Sequence, residues 1–332
     1  MSELVSVCIP TYNQATYIAE TIESVLAQTY SRFELIIVDN ASTDNTTEVV
    51  NRFPDPHLRF FRNGSNIGMV RNWNRCLELA QGEYVTILSS DDKYCPTFLE
   101  ESVRLAEMHP EVRFVCTGSY FIDADGHLLG ISANPGPHLQ DGNTLFCEYW
   151  TRRRVRTPVF FLSTLYRRQA LLALGSFTTQ LKGAADVWAW LLLAVDGVVG
   201  YVPEPLTYYR MHTASVMGQM LVNCEVLDDR LRLAELVFSH PLVRRIPELL
   251  ACKQHVSASA VYFSVMNLRA ARRNGLSMRE TWRFYYRHLL PLHWRTAIAP
   301  WTLYYLLRAL LPPSLLAVAR NLKLRWRNVG TS

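Results

Sequence analysis

Short apolar runs of strand length alternate with stretches of helical spacing through the first 120 residues. The runs are Val5–Ile9, Phe33–Val38, Leu58–Phe61, Tyr84–Leu88 and Arg113–Cys116. Between them, Ala15–Gln28, Asp44–Arg52, Met69–Ala80 and Thr97–Met108 repeat apolar residues three and four apart, as Ile18, Ile22, Val25 and Leu26 do along one face. Regular alternation of strand and helix predicts βαβ units and a mostly parallel sheet. Beyond Gly118 the pattern loosens. Asp123-Ala124-Asp125-Gly126 predicts a hairpin turn, Thr157–Tyr166 and Val198–Val202 predict strands, and Tyr208 opens a loop. Ala184–Val195 is an apolar helical stretch with a single acid, Asp186, near its start. After Gly218 only helical patterns remain, interrupted at Pro241, Pro247, Gly275, Pro291, Pro300 and Pro312-Pro313. The patterning divides the chain into an α/β region over 1–218, with halves 1–117 and 118–218, and a helical region over 219–332.

In open sheets of this kind ligands gather at the carboxyl ends of the strands, where loops converge and helix N-termini point free N–H groups inward. The unusual polar residues fall there. Pro10-Thr11-Tyr12-Asn13 follows the first run and Asp39-Asn40-Ala41-Ser42-Thr43-Asp44 the second. A loop with Asn66, Gly68 and Arg71 follows the third, and Ser89-Ser90-Asp91-Asp92 closes the fourth. Asp91 and Asp92 are hard oxygen ligands of the type Mg2+ or Mn2+ prefers; the bland alternative is an exposed acidic turn. Asp186, at the head of an apolar helix, reads either as a general base whose proton affinity burial raises or as an acid stabilised by the helix dipole. Arg71 reads as a base or diphosphate contact or as a surface arginine, and His212 as a ligand or a structural histidine. Ser42 and Asp44 fit helix capping better than ligand contact.

Charge changes the picture of the C-terminal region. Residues 1–221 carry 17 Lys and Arg against 23 Asp and Glu, residues 222–332 carry 17 against 6, and from Leu249 onward Glu280 is the only acid. This asymmetry predicts an anionic partner. Arg269, Arg272, Arg273, Arg279, Arg283, Arg287 and Arg295 are interleaved with Phe284, Tyr285, Tyr286, Leu289, Leu290 and Trp294. Thr296–Ala319 is apolar except for Arg308 and is broken by prolines, whereas a spanning helix needs roughly 20 uninterrupted apolar residues. A basic, aromatic surface lying on an anionic leaflet is therefore expected, and the aliphatic content argues against nucleic acid. A helical cap with a solvated basic face is the alternative. The cysteines lack CxxC pairing, which argues against a disulfide framework or a zinc site. The first residues run into a strand pattern without a basic-then-apolar leader, so a cytoplasmic chain start is expected.

Taken in order, VSVCIPTYN, ELIIVDNASTDNT, NIGMVRN, YVTILSSDD, the acid of AADVWAW, and YYRMHTASV resemble the motif series of the family 2 glycosyltransferases, over roughly the first two-thirds of the chain. The resemblance implies a Rossmann-like, nucleotide-sugar-binding A-type fold with a C-terminal helical extension. It implies a nucleotide-binding half over 1–117 and an acceptor-binding half over 118–218. The implied reaction is inverting transfer of a single sugar from a nucleotide-diphosphate sugar, most simply a UDP-sugar, to a glycan or lipid-linked acceptor. The implied cofactor is Mg2+ or Mn2+, and the implied location is peripheral, on the cytoplasmic face of a membrane. Residue by residue, the resemblance makes Asp92 the metal ligand, with His212 closing over the metal diphosphate, Asp91 a contact to ribose or sugar, and Asp186 the general base. It groups Pro10, Thr11, Tyr12, Asn13, Asp39, Asn66, Gly68 and Arg71 around the nucleotide. The chain departs from many family members at Ser89, where they have Asp, and at Ala185-Asp186, where Glu-Asp is usual. No QxxRW segment follows Asp186, so the processive synthases of the family are a poor match. Two other classes stay open on the residues alone. A nucleotidyltransferase would begin with a Gly-rich phosphate loop, which Ile9-Pro10-Thr11-Tyr12-Asn13 is not; an inactive scaffold relative would lose Asp39, Asp92 and Asp186, which are present.

Overall fold

The computed structural model describes residues 3–133, 138–151, 161–212, 220, 225–273, 276–299, 302–303 and 306. The basic cluster of Arg152, Arg153, Arg154 and Arg156, the start of the expected strand at Thr157, Ser215, the side chains of Arg269, Arg272 and Arg273, and the tail from residue 307 lie outside the described residues.

The first 110 residues fold as β1 (Val5–Thr11), α1 (Ile18–Leu26), β2 (Phe33–Asp39), α2 (Thr46–Val50), β3 (Leu58–Arg62), α3 (Met69–Leu79), β4 (Tyr84–Ile87), β5 (Lys93–Tyr94) and α4 (Phe98–Met108). Then come β6 (Val112–Ile122), β7 (Leu128–Ser132), β8 (Leu139–Asp141), α5 (Gly142–Thr151), β9 (Thr164–Arg167), α6 (Arg168–Ala173), α7 (Ala185–Ala194) and β10 (Val198–Arg210). The strands form one sheet in the order β3-β2-β1-β4-β9-β6-β10-β5, with β7 beside β6 and β8 beside β10. β1 pairs in parallel with β2 and β4, and β2 with β3, as the βαβ pattern predicts. Beyond β4 the sheet is mixed: β9 enters antiparallel to both β4 and β6, whereas β6 and β10 run parallel.

Side-chain alternation on the strands supplies both faces. Val5, Val7 and Ile9 of β1 turn to one side, packing with Ile18, Ile22 and Val25 of α1 and with Phe98, Leu99 and Val103 of α4. Cys8 turns to the other, its thiol donating to the Cys76 carbonyl of α3 at 3.7 Å. Covered on both faces, β2 buries all of its residues and reads as a continuous apolar run.

Two departures from the sequence expectation bear on the site. α1 begins at Ile18 rather than Ala15, because Asn13 sits at φ 54° and the Ala15 N–H donates to Asp44 Oδ2 at 3.0 Å, outside any helix. β10 does not stop at Val202 but continues to Arg210. Pro203 and Pro205 lack ladder N–H groups, and the strand absorbs them through register shifts between Val202 and Pro205 and between Pro205 and Thr207.

By contact density the chain separates into two compact units, Met1–His212 with Arg232–Lys253, and Thr213–Leu231 with Gln254–Ser332. The second has its own helical core, in which Leu227, Ala260, Val261, Val265, Tyr285 and Leu289 pack together. One of its helices, Met278–Phe284, opens with a capping box between Ser277 and Glu280. No helix among the described residues is long and apolar enough to cross a membrane.

Candidate active site

Two turns flank the end of β1. The first follows β2. Asp39 is fully buried, and its Oδ1 accepts from the Ser42 N–H at 3.0 Å and from the Ser42 hydroxyl. Its Oδ2 is held loosely, with Thr47 Oγ1 at 3.4 Å and Arg62 Nε at 3.5 Å. The neighbouring turn is tied to it: Ser42 Oγ accepts from the Asn13 N–H at 2.8 Å, and Asn13 Oδ1 accepts from the Thr43 N–H at 2.8 Å. Thr11, at the end of β1, carries a buried hydroxyl with no hydrogen-bond partner among the described residues.

A chain of amides extends this turn to the loop after β3. Asn72 Nδ2 donates to the Val38 carbonyl at 2.9 Å, Asn63 Nδ2 donates to Asn72 Oδ1 at 2.8 Å and to Asn40 Oδ1 at 3.1 Å, and Asn40 Nδ2 donates to Asn66 Oδ1 at 2.8 Å. Asn66 Oδ1 also accepts from the Gly68 N–H at 2.9 Å, so the loop arrives at α3 with Gly68 at φ 89°, a conformation a side chain would strain. Arg71 leaves the first turn of α3 exposed.

The second turn follows β4. Asp92 is buried, and its Oδ1 accepts from the Arg210 N–H at 2.7 Å. Burial, and after it the charge of Asp91, raise the proton affinity of the Asp92 carboxyl, against the hydrogen bonds it receives from Arg210 and Ser89. Asp91 keeps more exposure, and its Oδ2 lies 2.8 Å from His212 Nε2, with the two side chains 15% and 8% exposed. Tyr17 of the loop before α1 rests its ring 5.3 Å from the imidazole of His212.

Asp186 is half-buried in the first turn of α7. Two phenols carry electrostatic shifts here, Tyr166 buried and Tyr209 half-buried. Burial and then Asp92, Asp91 and Asp186 all push up the proton affinity of Tyr209, and burial followed by Asp186 does the same to Tyr166. A further trio, Asp123, Asp125 and His127, stands close enough to share a cation. Its geometry already has a local explanation: Asp123 Oδ1 accepts from the N–H groups of Asp125 and His127 at 3.0 and 2.9 Å, closing the predicted hairpin turn between β6 and β7.

Residues 6–167 match the model of glycosyl transferase family 2. The UDP-Glc:alpha-D-GlcNAc-diphosphoundecaprenol beta-1,3-glucosyltransferase WfaP of Escherichia coli is 30% identical over 218 residues, 64% of this chain and 80% of that one. The chain belongs to glycosyltransferase family 2. Glycosyltransferase GlyG of Streptococcus pneumoniae is 42% identical over a shorter stretch of 94 residues, 28% of this chain and 31% of that one. Two solved structures share the fold. Staphylococcus aureus TarS 1-349 in complex with UDP-GlcNAc superposes with a TM-score of 0.58 at 18% identity, covering 92% of this chain and 81% of that one. Mannosyltransferase PcManGT from Pyrobaculum calidifontis, in complex with GDP-Man and Mn2+, gives 0.58 at 21%, covering 93% and 86%.

As a family 2 glycosyltransferase the chain is a transferase of the A-type fold, which removes the nucleotidyltransferase alternative. Most residues singled out in the sequence stand along one sheet edge, in the loops that follow β1, β2, β3 and β4, with His212 just past the end of β10. The motif YYRMHTASV includes Arg210 without giving it a role, and Glu20 stands outside the motif series. Arg210 carries the one charged side chain of β10 that is buried, and Glu20, from α1, pairs with it at 3.0 Å. A cation embedded in the run Tyr208-Tyr209-Arg210 was the available signal. Asn40, Asn63 and Asn72 were likewise missed, although repeated amides in adjoining loops are the composition of a hydrogen-bonded turn system.

Proposed function

We propose that the enzyme transfers one sugar, with inversion, from a UDP-sugar to a lipid-linked or glycan acceptor, at a site bounded by the Asp39 turn and the Asp91–Asp92 turn. The observation that carries this reading is the Asp91–His212 contact at 2.8 Å beside the buried Asp92, in the turn that follows β4. The names of the relatives support the same direction, since WfaP is described as a UDP-Glc transferase on a diphosphoundecaprenol acceptor.

Asp91 and His212 offer one carboxylate oxygen and one imidazole nitrogen side by side, both partly open to solvent, which suits Mg2+ or Mn2+. In this assignment Asp92 stands behind them, its Oδ1 accepting from the Arg210 N–H, and Asp91 takes the metal-ligand role that the resemblance gave to Asp92. The chemistry a bound divalent ion supplies is neutralisation of the charge gathering on the departing diphosphate. The loosely held Oδ2 of Asp39 and the spare hydroxyl of Thr11 are polar groups able to turn to the base, with Pro10, Tyr12 and Asn13 forming the adjoining wall and Asn66, Gly68 and Arg71 the opposite one. Asp186 takes the proton of the acceptor hydroxyl as its oxygen attacks.

The second unit supports contact with an anionic membrane surface, on the cytoplasmic face. Met278, Tyr286, Trp294 and Ile298 are exposed apolar side chains there, and Arg279, Arg283, Arg287 and Arg295 are exposed among them.

The test is calorimetric titration of purified protein with UDP and GDP, with and without MnCl2, alongside transfer assays. Asp186→Asn is expected to bind metal and nucleotide like the wild type while turnover falls roughly 10²- to 10⁴-fold. Absence of any metal-dependent nucleotide binding by folded wild-type protein would remove the donor reading.

A further inference from the structure

Arg210 is joined to the Asp91–Asp92 turn from two directions. Its backbone N–H donates to Asp92 Oδ1 at 2.7 Å, and its side-chain Nε donates to the Asp91 carbonyl at 2.8 Å. Both terminal nitrogens of the guanidinium also have partners. One terminal nitrogen donates to the Ala124 carbonyl at 2.9 Å and, more loosely, to that of Asp123 at 3.4 Å, both at the tip of the β6–β7 hairpin. The other donates to Glu20 Oε2 at 3.0 Å, and the plane lies 4.7 Å over the Tyr17 ring. The side chain is 1% exposed, so this charge has been taken out of water for a specific set of partners. Two residues further along stands His212, whose ring meets both Asp91 and Tyr17.

We infer that Arg210 is a positioning residue for the metal-nucleotide site: its side chain fixes the backbone of Asp91 and the approach of His212 to it, and ties both to the β6–β7 hairpin. The inference rests on the donor-site reading given above. A planar guanidinium is needed because three separate elements must be reached at once in fixed directions, which an ammonium cannot do. Outer-shell groups of this type set the orientation of a ligand rather than touching the ligand's cargo.

Arg210→Lys and Glu20→Gln test it. Folding is followed by thermal melting, and binding by calorimetry with UDP at a series of MnCl2 concentrations, with metal-free uridine as a second probe. The Arg210→Lys protein is expected to need about 10-fold more Mn2+ for half-saturation, and Glu20→Gln about 3-fold more. Uridine binding should be unchanged in both, because the Asp39 turn is untouched; a general loosening of the fold would weaken it as well. Variants that melt and bind Mn2+ with UDP like the wild type overturn the inference. So does loss of uridine binding in parallel with metal-dependent binding. Should Arg210→Lys fail to fold, the exposed Glu20→Gln variant decides alone. If wild-type protein binds uridine but shows no metal dependence with UDP, the metal-nucleotide reading itself falls, and the inference with it.

Discussion

The turns after β2 and β4 occupy equivalent places, one on each side of β1, and each ends an apolar strand in a buried carboxylate. They are finished differently. Asp39 is satisfied within its own turn by Ser42, with Thr47 and Arg62 at the margin. Asp92 has a partner 118 residues away in Arg210, and beside it Asp91 faces a histidine that belongs to the same distant segment. A carboxylate answered locally shapes a loop whether or not a ligand is present. A carboxylate pair answered from across the chain concentrates negative charge, raises the proton affinity of Asp92, and gains most from a cation.

That contrast can be broken experimentally. The largest effect belongs to Asp91→Asn, expected to lower transfer by roughly 10²- to 10³-fold in initial-rate assays while the melting temperature stays put, because the weakened contact with His212 is offset by relief of the repulsion between Asp91 and Asp92. Asp39→Ala should do the opposite first. It strands the buried Ser42 N–H and hydroxyl, and a loss of about 3 kcal/mol in urea unfolding is expected. Asn72→Ala removes the inner end of the amide chain and should cost about 2 kcal/mol, with the Arg71 loop becoming more sensitive to limited proteolysis.

The smallest effect is at Asp44. Burial works against its ionisation, but hydrogen bonds from Thr46 and the Ala15 N–H outweigh it and hold the carboxyl below its ordinary range. A depressed acid stabilises the fold above its unfolded value and loses that contribution as pH falls through the folded one. For this exposed side chain the Asp44→Ala cost at pH 7 should be about 0.5 to 1 kcal/mol, and the gap to the wild type should close in urea melts below about pH 4.

The first four strands and the helices between them are largely legible because their signals are local. Each strand from Phe33–Asp39 to Tyr84–Ile87 is an apolar run ending in a polar turn, and each helix between them carries an apolar face. The hairpin at Asp123–Gly126 was legible for the same reason, through its turn residues. What escaped depends on partners far apart in sequence. The insertion of β9 between β4 and β6, the two-residue strand Lys93–Tyr94 and the continuation of β10 past two prolines are decided by neighbours in the sheet. Local punctuation at Pro203 and Pro205 argued for an end that tertiary pairing overrides. Asp91 and Asp92 stand out in the sequence by type and position, but which of the pair is buried is not written in the letters, since it depends on the Arg210 N–H.

The long final strand also sets where this protein can be cut. The family match ends at residue 167, yet β10 lies between β6 and β5 in the sheet and starts thirty residues later. An expression fragment trimmed to residues 6–167 would expose the whole flank of the eleven-residue strand β6, with Phe114 and Val115 beside an unpaired ladder. Such an edge recruits other chains, so that fragment is expected in inclusion bodies, whereas one extended through His212 keeps the flank paired.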